Sequence, residues 1–286
     1  MKKIIYFIEF LLVEFLFIIC KIIGYKSASN LGFFIGKNFG NFFRKKKSII
    51  ENLHKSKIAI KISENQFVNN VLGNYGRILA EYPFLKDFRK NKLEQFIKID
   101  GIENLNKIKN NDKPVVFISG HFNNFELMAM QIEKNGVNLA AIYRPLNNVF
   151  LNKTMEQIRT EYICKNQIRK GRSGTRQILE NLKKGNSIAL MIDQRVTEGI
   201  KIDFFGNLAS TTTIPAQIIK KYECDLVPIY IERLDKYNFK MYVSQPIVIN
   251  KKKSQEEISK HLNKILEKMI LKNPDQWIWT HNRWKK

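Results

Sequence analysis

The sequence predicts an α/β fold: a mostly parallel central sheet flanked by helices, preceded by an N-terminal hydrophobic membrane-anchoring helix and a helical layer. Two observations carry this prediction. One is the apolar run at 4–23, and the other is an alternation of short β-rich and helical segments that starts near residue 93. Such alternation is typical of α/β domains. We therefore predict a membrane anchor at 1–26, a helical membrane-proximal region at 27–92 and an α/β domain at 93–286.

The N-terminal run, "IIYFIEFLLVEFLFIICKII" at 4–23, has about the 20 residues that a helix needs to cross a bilayer. Glu9 and Glu14 oppose that position, since a carboxylate costs roughly 3 kcal/mol at mid-membrane. The run therefore predicts a marginal single span or a helix lying in the membrane interface; a buried helix of a soluble domain is the third interpretation. The bulky residues that follow do not resemble a signal-peptide cleavage site. More basic residues follow the run than precede it, which favours a cytoplasmic location for the rest of the chain.

Two further helices are predicted before the α/β region. The segment "SASNLGFFIGKNFGNFF" at 27–43 is apolar at helical spacing and also suits a membrane surface. The segment at 63–84 begins with Ser63 and Gln66, three residues apart, which is the pattern of a capping box. This helix is expected to end before Pro83, because proline does not continue a helix.

Beyond residue 93 the predicted strands are short and apolar. They are 96–100, 115–119, 139–143, 187–192, 225–232 and 241–249. The predicted helices between and after them are 102–110, 124–135, 147–162, 173–184, 213–222 and 254–272. Ligands of open α/β sheets gather at the carboxyl ends of the strands. That rule predicts that ligand-binding residues lie at 120–126, 143–148 and 193–195.

The net charge limits the classes of molecule that the protein is expected to bind. The formal net charge of +23 points to nucleic acid, acidic lipid or an acidic carrier protein, although a Lys-, Asn- and Ile-rich composition from an AT-rich genome accounts for part of it. Nothing resembles a nucleic-acid-binding module, and the aromatic residues lie within apolar runs.

Cys20, Cys164 and Cys224 are widely spaced without a CxxC pair, which predicts buried thiols in a reducing compartment and no metal site.

The segment after the second predicted strand contains the strongest candidate for catalysis. Gly120 ends the run "VVFIS", His121 follows it, and Glu126 lies in the first turn of the next predicted helix. A carboxylate bonded to one imidazole nitrogen fixes the tautomer and raises the basicity of the other, so a His121–Glu126 hydrogen bond would create a general base. The alternative is structural: Asn123 is the N-cap and Glu126 completes a capping box.

Polar residues also follow two other predicted strands. The segment "YRPLNN" places Arg144 and Asn147 after the third strand, and "MIDQR" places Asp193 and Gln194 after the fourth. The run "RKGRSGTR" at 169–176 has four cationic side chains around two glycines, which suits phosphate or carboxylate groups. Each segment has a structural alternative, namely a strand-to-helix turn, a cap or a solvated loop.

Five segments, in this order, resemble the lipid A biosynthesis lauroyl/myristoyl acyltransferases, a family of the lysophospholipid acyltransferase superfamily. "HFNNFE" resembles the family's His-x4-Asp/Glu motif, in its Glu form. The other four segments are "YRPLNNVFLN", "LKKGNSIALMIDQ", "FFGNLASTTT" and "NPDQWIWTHNRW". The similarity extends over about residues 45 to 284 and includes a hydrophobic N-terminal anchor of the expected kind. Arg195 departs from the acidic residue that many members carry after Asp-Gln, which bears on the substrate subtype.

The resemblance implies an enzyme of the bacterial inner membrane whose catalytic domain faces the cytoplasm. It implies transfer of a fatty acyl chain from acyl carrier protein, with acyl-CoA as the other donor, to a hydroxyl of an acylated, phosphorylated glucosamine lipid. No metal or organic cofactor is indicated. By this resemblance His121 and Glu126 are the catalytic pair. The substrate-binding candidates are Arg159, Asp193, Arg144, Asn147 and Gln194.

The expected chemistry is direct acyl transfer. His121, with a reference pKa near 6.5, takes the proton of the attacking hydroxyl and returns it to the leaving thiolate, while Glu126 stabilises the imidazolium. Arg159 is a candidate to stabilise the tetrahedral oxyanion. No residue resembles an acylated nucleophile. The expected partners are acyl carrier protein, the phosphorylated glycolipid acceptor and an anionic membrane surface, which basic clusters at 44–47, 169–176 and 251–253 are suited to meet.

Two other functions stay open at this point. One is an acyltransferase that acts on another glycolipid, an aminolipid or a lysophospholipid. The glycerolipid branch is disfavoured, because its Gly-Thr-Arg block follows a strand, whereas "SGTR" at 173–176 precedes a predicted helix. The other is a non-catalytic basic protein that binds membrane surfaces or nucleic acid.

Overall fold

The first part of the fold is helical. The structure, a computed structural model, describes residues 2–111 and 113–285. Before the sheet come α1 (Lys2–Ile23), α2 (Tyr25–Phe43), α3 (Lys46–Ser56), α4 (Glu64–Glu81) and α5 (Leu85–Arg89). Ser63 caps α4 by accepting a hydrogen bond from the Gln66 amide, as the sequence pattern predicts. The helix α3 was not predicted.

A seven-stranded sheet forms the centre of the remaining chain. Its strands are β1 (Ile97–Asp100), β2 (Val115–Ser119), β3 (Leu139–Tyr143), β4 (Asn166–Arg169), β5 (Ser187–Met191), β8 (Asp225–Arg233) and β9 (Phe239–Val243). The strands β6 (Ile200–Phe204) and β7 (Asn207–Thr211) form a separate antiparallel hairpin. The helices are α6 (Ile102–Lys109), α7 (Glu126–Lys134), α8 (Val149–Ile158), α9 (Arg172–Lys183), α10 (Ile214–Tyr222) and α11 (Gln255–Lys272). The strand order is β1-β9-β8-β2-β5-β3-β4, and of these neighbours only the β8–β9 pair is antiparallel. The mostly parallel sheet flanked by helices is thus confirmed.

Two local predictions differ from the structure, and three strands were not predicted. The last strand was predicted at 241–249 but ends at Val243. Beyond it the chain leaves the sheet, and Ile247 makes only an isolated bridge to Leu226. The predicted helix at 147–162 ends as an α-helix at Ile158 and continues as a π-helical turn, Arg159–Ile163. The edge strand β4 and the hairpin of β6 and β7 were not predicted.

Helices α2 and α4 pack with their backbones in close contact along a row of glycines. Gly32, Gly36 and Gly40 lie on α2, and Gly73 and Gly76 lie on α4. A β-carbon on Gly76 would overlap the carbonyl oxygen of Gly32, and one on Gly36 would overlap that of Leu72. Neither carbonyl can yield without moving a helix, so this interface requires glycine.

We expect Gly76→Ala to lower the free energy of unfolding by about 3 kcal/mol, the upper range of overpacking penalties, because the added methyl group meets backbone. Gly40→Ala is the matched control, since its β-carbon would lie 3.1 Å from Cβ of Leu72, a tight contact that a shift of a few tenths of an ångström relieves. Thermal or urea unfolding of both variants measures the difference. Equal, small losses would show that α2 and α4 separate easily.

Helix α1 exposes much of its apolar surface. Its exposed large apolar residues are Ile4, Ile5, Phe7, Ile8, Leu11, Leu12, Phe15, Ile18, Ile22 and Ile23. Its contacts with the rest of the fold include the buried Phe17, which stacks on Tyr82, and Phe7, which packs edge-on against Phe150 of α8. Across residues 2–111 and 113–285, no helix combines the length and hydropathy of a membrane span. The membrane anchor stays a prediction.

Candidate active site

A cavity of about 440 Å³ opens where four adjacent parallel strands end. The strands are β2, β5, β3 and β4, whose carboxyl ends lie side by side. Six of the seven predicted site residues line this cavity, and the seventh, Asp193, lies buried behind His121. The lining residues among them are His121, Glu126, Arg144, Asn147, Arg159 and Gln194.

His121 is held by Asp193, and this corrects the predicted hydrogen bond between His121 and Glu126. The Nδ1 atom of His121 lies 2.8 Å from Oδ1 of Asp193, and the backbone N–H of His121 donates to Oδ2 over 2.8 Å. Trp277 donates its indole N–H to the same Oδ2 over 2.9 Å. Both carboxylate oxygens are therefore used, and the Asp193 side chain has no exposed area.

The register of the sheet explains why Asp193 meets His121. Ser119 of β2 lies opposite Met191 of β5, and the Ile192 amide continues this ladder by donating to the Ser119 carbonyl. The second residue beyond each strand is then His121 on one side and Asp193 on the other. The pair is thus fixed by strand pairing between segments that lie 72 positions apart.

His121 and Asp193 each shift the pKa of the other in the direction that favours its charged form. Burial lowers the pKa of His121, but the charge and hydrogen bond of Asp193 raise it by more, so the pKa lies above its usual value. Burial alone would raise the pKa of Asp193, yet the contacts with His121 and the Trp277 N–H hold it well below its usual range. Asp193 is therefore an anion at neutral pH. It holds the proton of His121 on Nδ1, which leaves Nε2 as the basic nitrogen.

The turn that presents His121 is fixed by side chains and does not cap the following helix. Asn123 adopts a left-handed conformation, with φ of 42°, and donates to Gln276 over 2.7 Å. Asn124 donates to the buried carboxylate of Glu81 over 3.1 Å. Helix α7 begins at Glu126 without a side-chain cap. The capping interpretation of "HFNNFE" is therefore wrong.

Glu126 pairs with Arg159 on the other side of His121. Its Oε1 accepts hydrogen bonds from Nε and Nη2 of Arg159, at 2.9 and 2.7 Å, and from the hydroxyl of Tyr82 at 2.6 Å. Attraction to Glu126 outweighs burial and raises the pKa of Arg159 above its ordinary value. The remaining Nη1 of Arg159 is buried and has no hydrogen-bond partner among the described residues. It is a cationic donor whose hydrogen-bonding capacity is not used within the described residues.

The remaining candidates also line the cavity. Arg144 and Asn147 are exposed, and Gln194 is half-buried. Asn148 caps α8 through the Phe150 and Leu151 amides, so the predicted capping role in this segment belongs to Asn148. Of the basic run 169–176, Lys170, Gly171, Gly174 and Thr175 line the cavity.

Much of the cavity lining is apolar. One group of apolar lining residues comes from strands β3, β4 and β5, from helices α7 and α9 and from the π-helical turn. That group is Ala129, Ala141, Ile142, Ile163, Ile168, Ile178, Ala189, Leu190 and Met191. The site therefore combines polar residues around His121 with a large apolar lining.

Sequence reasoning did not single out Trp277, His281 or Tyr82. Trp277 holds Asp193, His281 lines the cavity, and Tyr82 donates to Glu126. The segment "NPDQWIWTHNRW" contains the first two and was noted only as a motif. Tyr82 follows α4, where no sequence pattern indicated a functional residue.

In the described parts of the chain, no three His, Cys, Asp or Glu side chains are grouped to hold a metal ion.

Comparison with known proteins gives one family. The sequence model described as "Bacterial lipid A biosynthesis acyltransferase" matches residues 1–286. The chain is 24% identical over 215 residues to the lipid A biosynthesis palmitoleoyltransferase of Escherichia coli (strain K12), which covers 73% of this chain and 68% of that protein. It is 22% identical over 266 residues to the lipid A biosynthesis lauroyltransferase of the same organism, covering 89% and 84%. The family resemblance of the five segments is thereby confirmed.

Among solved structures, the crystal structure of the 1-acyl-sn-glycerophosphate acyltransferase from Thermotoga maritima aligns with this chain. The TM-score is 0.43, the sequence identity is 14%, and the alignment covers 95% of this chain and 99% of that one.

Proposed function

The chain belongs to the bacterial lipid A biosynthesis acyltransferase family, and from this premise we propose that it transfers a fatty acyl chain from acyl carrier protein to a hydroxyl of a lipid A precursor. The observation that carries the proposal is His121, which is held by the buried Asp193, has no partner for Nε2 among the described residues, and lines a cavity with many apolar residues. A base in a cavity with a largely apolar lining is what transfer of a fatty acyl chain requires.

His121 is the general base of this mechanism. Its Nε2 takes the proton of the acceptor hydroxyl as the oxygen attacks the thioester carbonyl, forming the new C–O bond. When the C–S bond breaks, the imidazolium returns the proton to the thiolate. Asp193 stabilises the imidazolium directly, and Glu126 adds negative charge at longer range while holding Arg159.

Arg159 supplies positive charge at the point where negative charge develops. Its Nε and Nη2 are occupied by Glu126, so the guanidinium is oriented before substrate binds. Its free Nη1 can then donate to the carbonyl oxygen as the tetrahedral intermediate forms. A group that needs no reorganisation during the reaction stabilises the transition state most effectively.

The apolar lining residues are suited to the acyl chain, and the cationic lining residues are suited to the anionic parts of both substrates. Three small residues, Ala129, Ala141 and Ala189, leave room for a slender chain between the sheet and the helices. Arg44, Arg144 and Lys170 line the same cavity, where they can meet acceptor phosphates or acidic residues of the carrier protein. Acyl-CoA, which also carries phosphates, is the alternative donor.

We place the enzyme at the cytoplasmic face of the bacterial inner membrane. The exposed apolar face of α1 and the exposed Phe34, Phe39 and Phe42 of α2 offer a surface for insertion into lipid. The basic cluster at 44–47 follows directly and suits anionic head groups. Substrate lipid would then reach the cavity without leaving the membrane.

Mass spectrometry of lipids from cells that lack this protein tests the proposal. We expect lipid A that lacks one secondary acyl chain, restored by the wild-type protein and not by His121→Ala. Unchanged lipid A together with an altered glycolipid, aminolipid or glycerolipid would instead assign the chain to a different acceptor. Unchanged lipids of every class would refute acyl transfer to membrane lipid.

A further inference from the structure

Two histidines line the cavity, and the same three-residue segment holds both of them. Asp193 accepts from Nδ1 of His121, and two residues later the backbone N–H of Arg195 donates to Nε2 of His281 over 3.0 Å. The two contacts have opposite chemical sense: one partner accepts and the other donates. In the neutral state both rings carry their proton on Nδ1: Asp193 binds that proton in His121, whereas in His281 the contact with Arg195 is made by the other nitrogen, Nε2.

The contact with Arg195 fixes the protonation of His281. A backbone N–H can only donate, so Nε2 must present its lone pair and carry no proton. The ring is then neutral and its one N–H is at Nδ1. Burial lowers the pKa of His281, and the positive charges of His121, Arg283 and Lys170 act in the same direction against the opposing charge of Asp193. A neutral ring at physiological pH agrees with the geometry.

The segment that carries His281 is held rigidly. Asn52 donates from one amide group to the carbonyl oxygens of Trp279 and His281, at 2.7 and 3.1 Å. The Trp279 side chain is fully buried, and Thr280 is hydrogen-bonded to Tyr75 over 2.7 Å. No described residue accepts a hydrogen bond from Nδ1 of His281. An oriented N–H donor is thus left beside the cavity that contains His121.

We propose that His281 is a further catalytic residue, a neutral hydrogen-bond donor whose Nδ1–H binds the thioester carbonyl oxygen and stabilises the oxyanion that it becomes. The assignment rests on the proposed acyl transfer. It gives the oxyanion a second donor besides Arg159, and it gives the two histidines different roles, with His121 accepting the proton and His281 keeping its own. No proton leaves His281 during the reaction.

Two substitutions separate this role from a structural one. The amide nitrogen of asparagine lies near the position of Nδ1, so His281→Asn keeps the donor and loses the acceptor for Arg195. Glutamine reaches the position of Nε2, so His281→Gln keeps the acceptor and loses the donor. A donor to the oxyanion predicts that His281→Gln loses about 10²-fold in kcat, with KM and melting temperature nearly unchanged. His281→Asn should retain at least tenfold more activity than His281→Gln.

The assay uses the full chain, acyl carrier protein loaded with a lauroyl or palmitoleoyl chain, and an acylated, phosphorylated glucosamine lipid as acceptor. The pH profile should keep its acid limb in both variants, because that limb belongs to His121. His281→Gln within threefold of wild type, equal losses in the two variants, or a displaced acid limb would overturn the assignment. A wild-type protein that transfers no acyl chain from carrier protein or CoA would refute the proposed function itself, and the assignment with it.

Discussion

Asp193→Asn is expected to lower kcat by about 10³- to 10⁴-fold, the loss known when the carboxylate behind a catalytic histidine is neutralised. Asp193 accepts three hydrogen bonds, from the backbone N–H and Nδ1 of His121 and from the Trp277 indole. Asparagine offers one oxygen and one NH2 group, so one of these donors must face another donor. The imidazole then loses its fixed tautomer and its stabilising charge together.

Glu126→Gln is the matched comparison, because it also replaces a carboxylate by its amide beside His121. Its expected loss is about tenfold, since Glu126 contacts Arg159 and Tyr82 and acts on His121 only at longer range. Rates at saturating donor and acceptor, with thermal melts of both variants, provide the comparison. A greater loss in Glu126→Gln than in Asp193→Asn, with both variants folded, would return the catalytic pairing to His121 and Glu126.

Arg159→Ala is expected to lower kcat by 10²-fold or more and the free energy of unfolding by about 3 kcal/mol. The rate falls because the free Nη1 donor is lost, and the stability falls because the Glu126 carboxylate stays buried without its cation. Arg159→Lys should recover part of the stability and little of the rate, since an ammonium cannot both bind Glu126 through two nitrogens and donate to substrate.

A double variant separates these two effects of Arg159. Glu126→Gln with Arg159→Met removes both buried charges, so it should be more stable than Arg159→Ala while remaining as inactive. Urea unfolding and single-turnover rates measure the two quantities. Normal turnover in Arg159→Ala would remove Arg159 from the site and leave its ion pair with a structural role only.

The sheet was predictable where its strands are apolar throughout. All five residues of β2 are buried, and the sequence "VVFIS" shows that directly. The edge strand β4 is "NQIR", with one buried residue, so its sequence is that of a loop. The hairpin of β6 and β7 turns at Phe205 and Gly206, both with positive φ, and Phe-Gly is not a sequence that marks such a turn.

The site was predictable as a set of residues, because parallel strands deliver their carboxyl ends to one edge. Which of these residues form hydrogen bonds with each other was not predictable. Glu126 is close to His121 in sequence, yet the left-handed Asn123 redirects the chain and Glu126 meets Arg159. Asp193 meets His121 only through the register between β2 and β5. The pairing of strands therefore determines which carboxylate binds His121, and the spacing of residues in the sequence does not reveal it.

The pH dependence of kcat/KM in wild type and Asp193→Asn tests most directly whether Asp193 holds His121 as the base. Activity requires unprotonated Nε2, and Asp193 raises the pKa of His121, so the wild-type rate should rise with pH through an apparent pKa above 6.5. Without that charge, burial lowers the pKa, so the residual activity of Asp193→Asn should have its acid limb below 6.5. The same acid limb in both proteins would contradict this pairing.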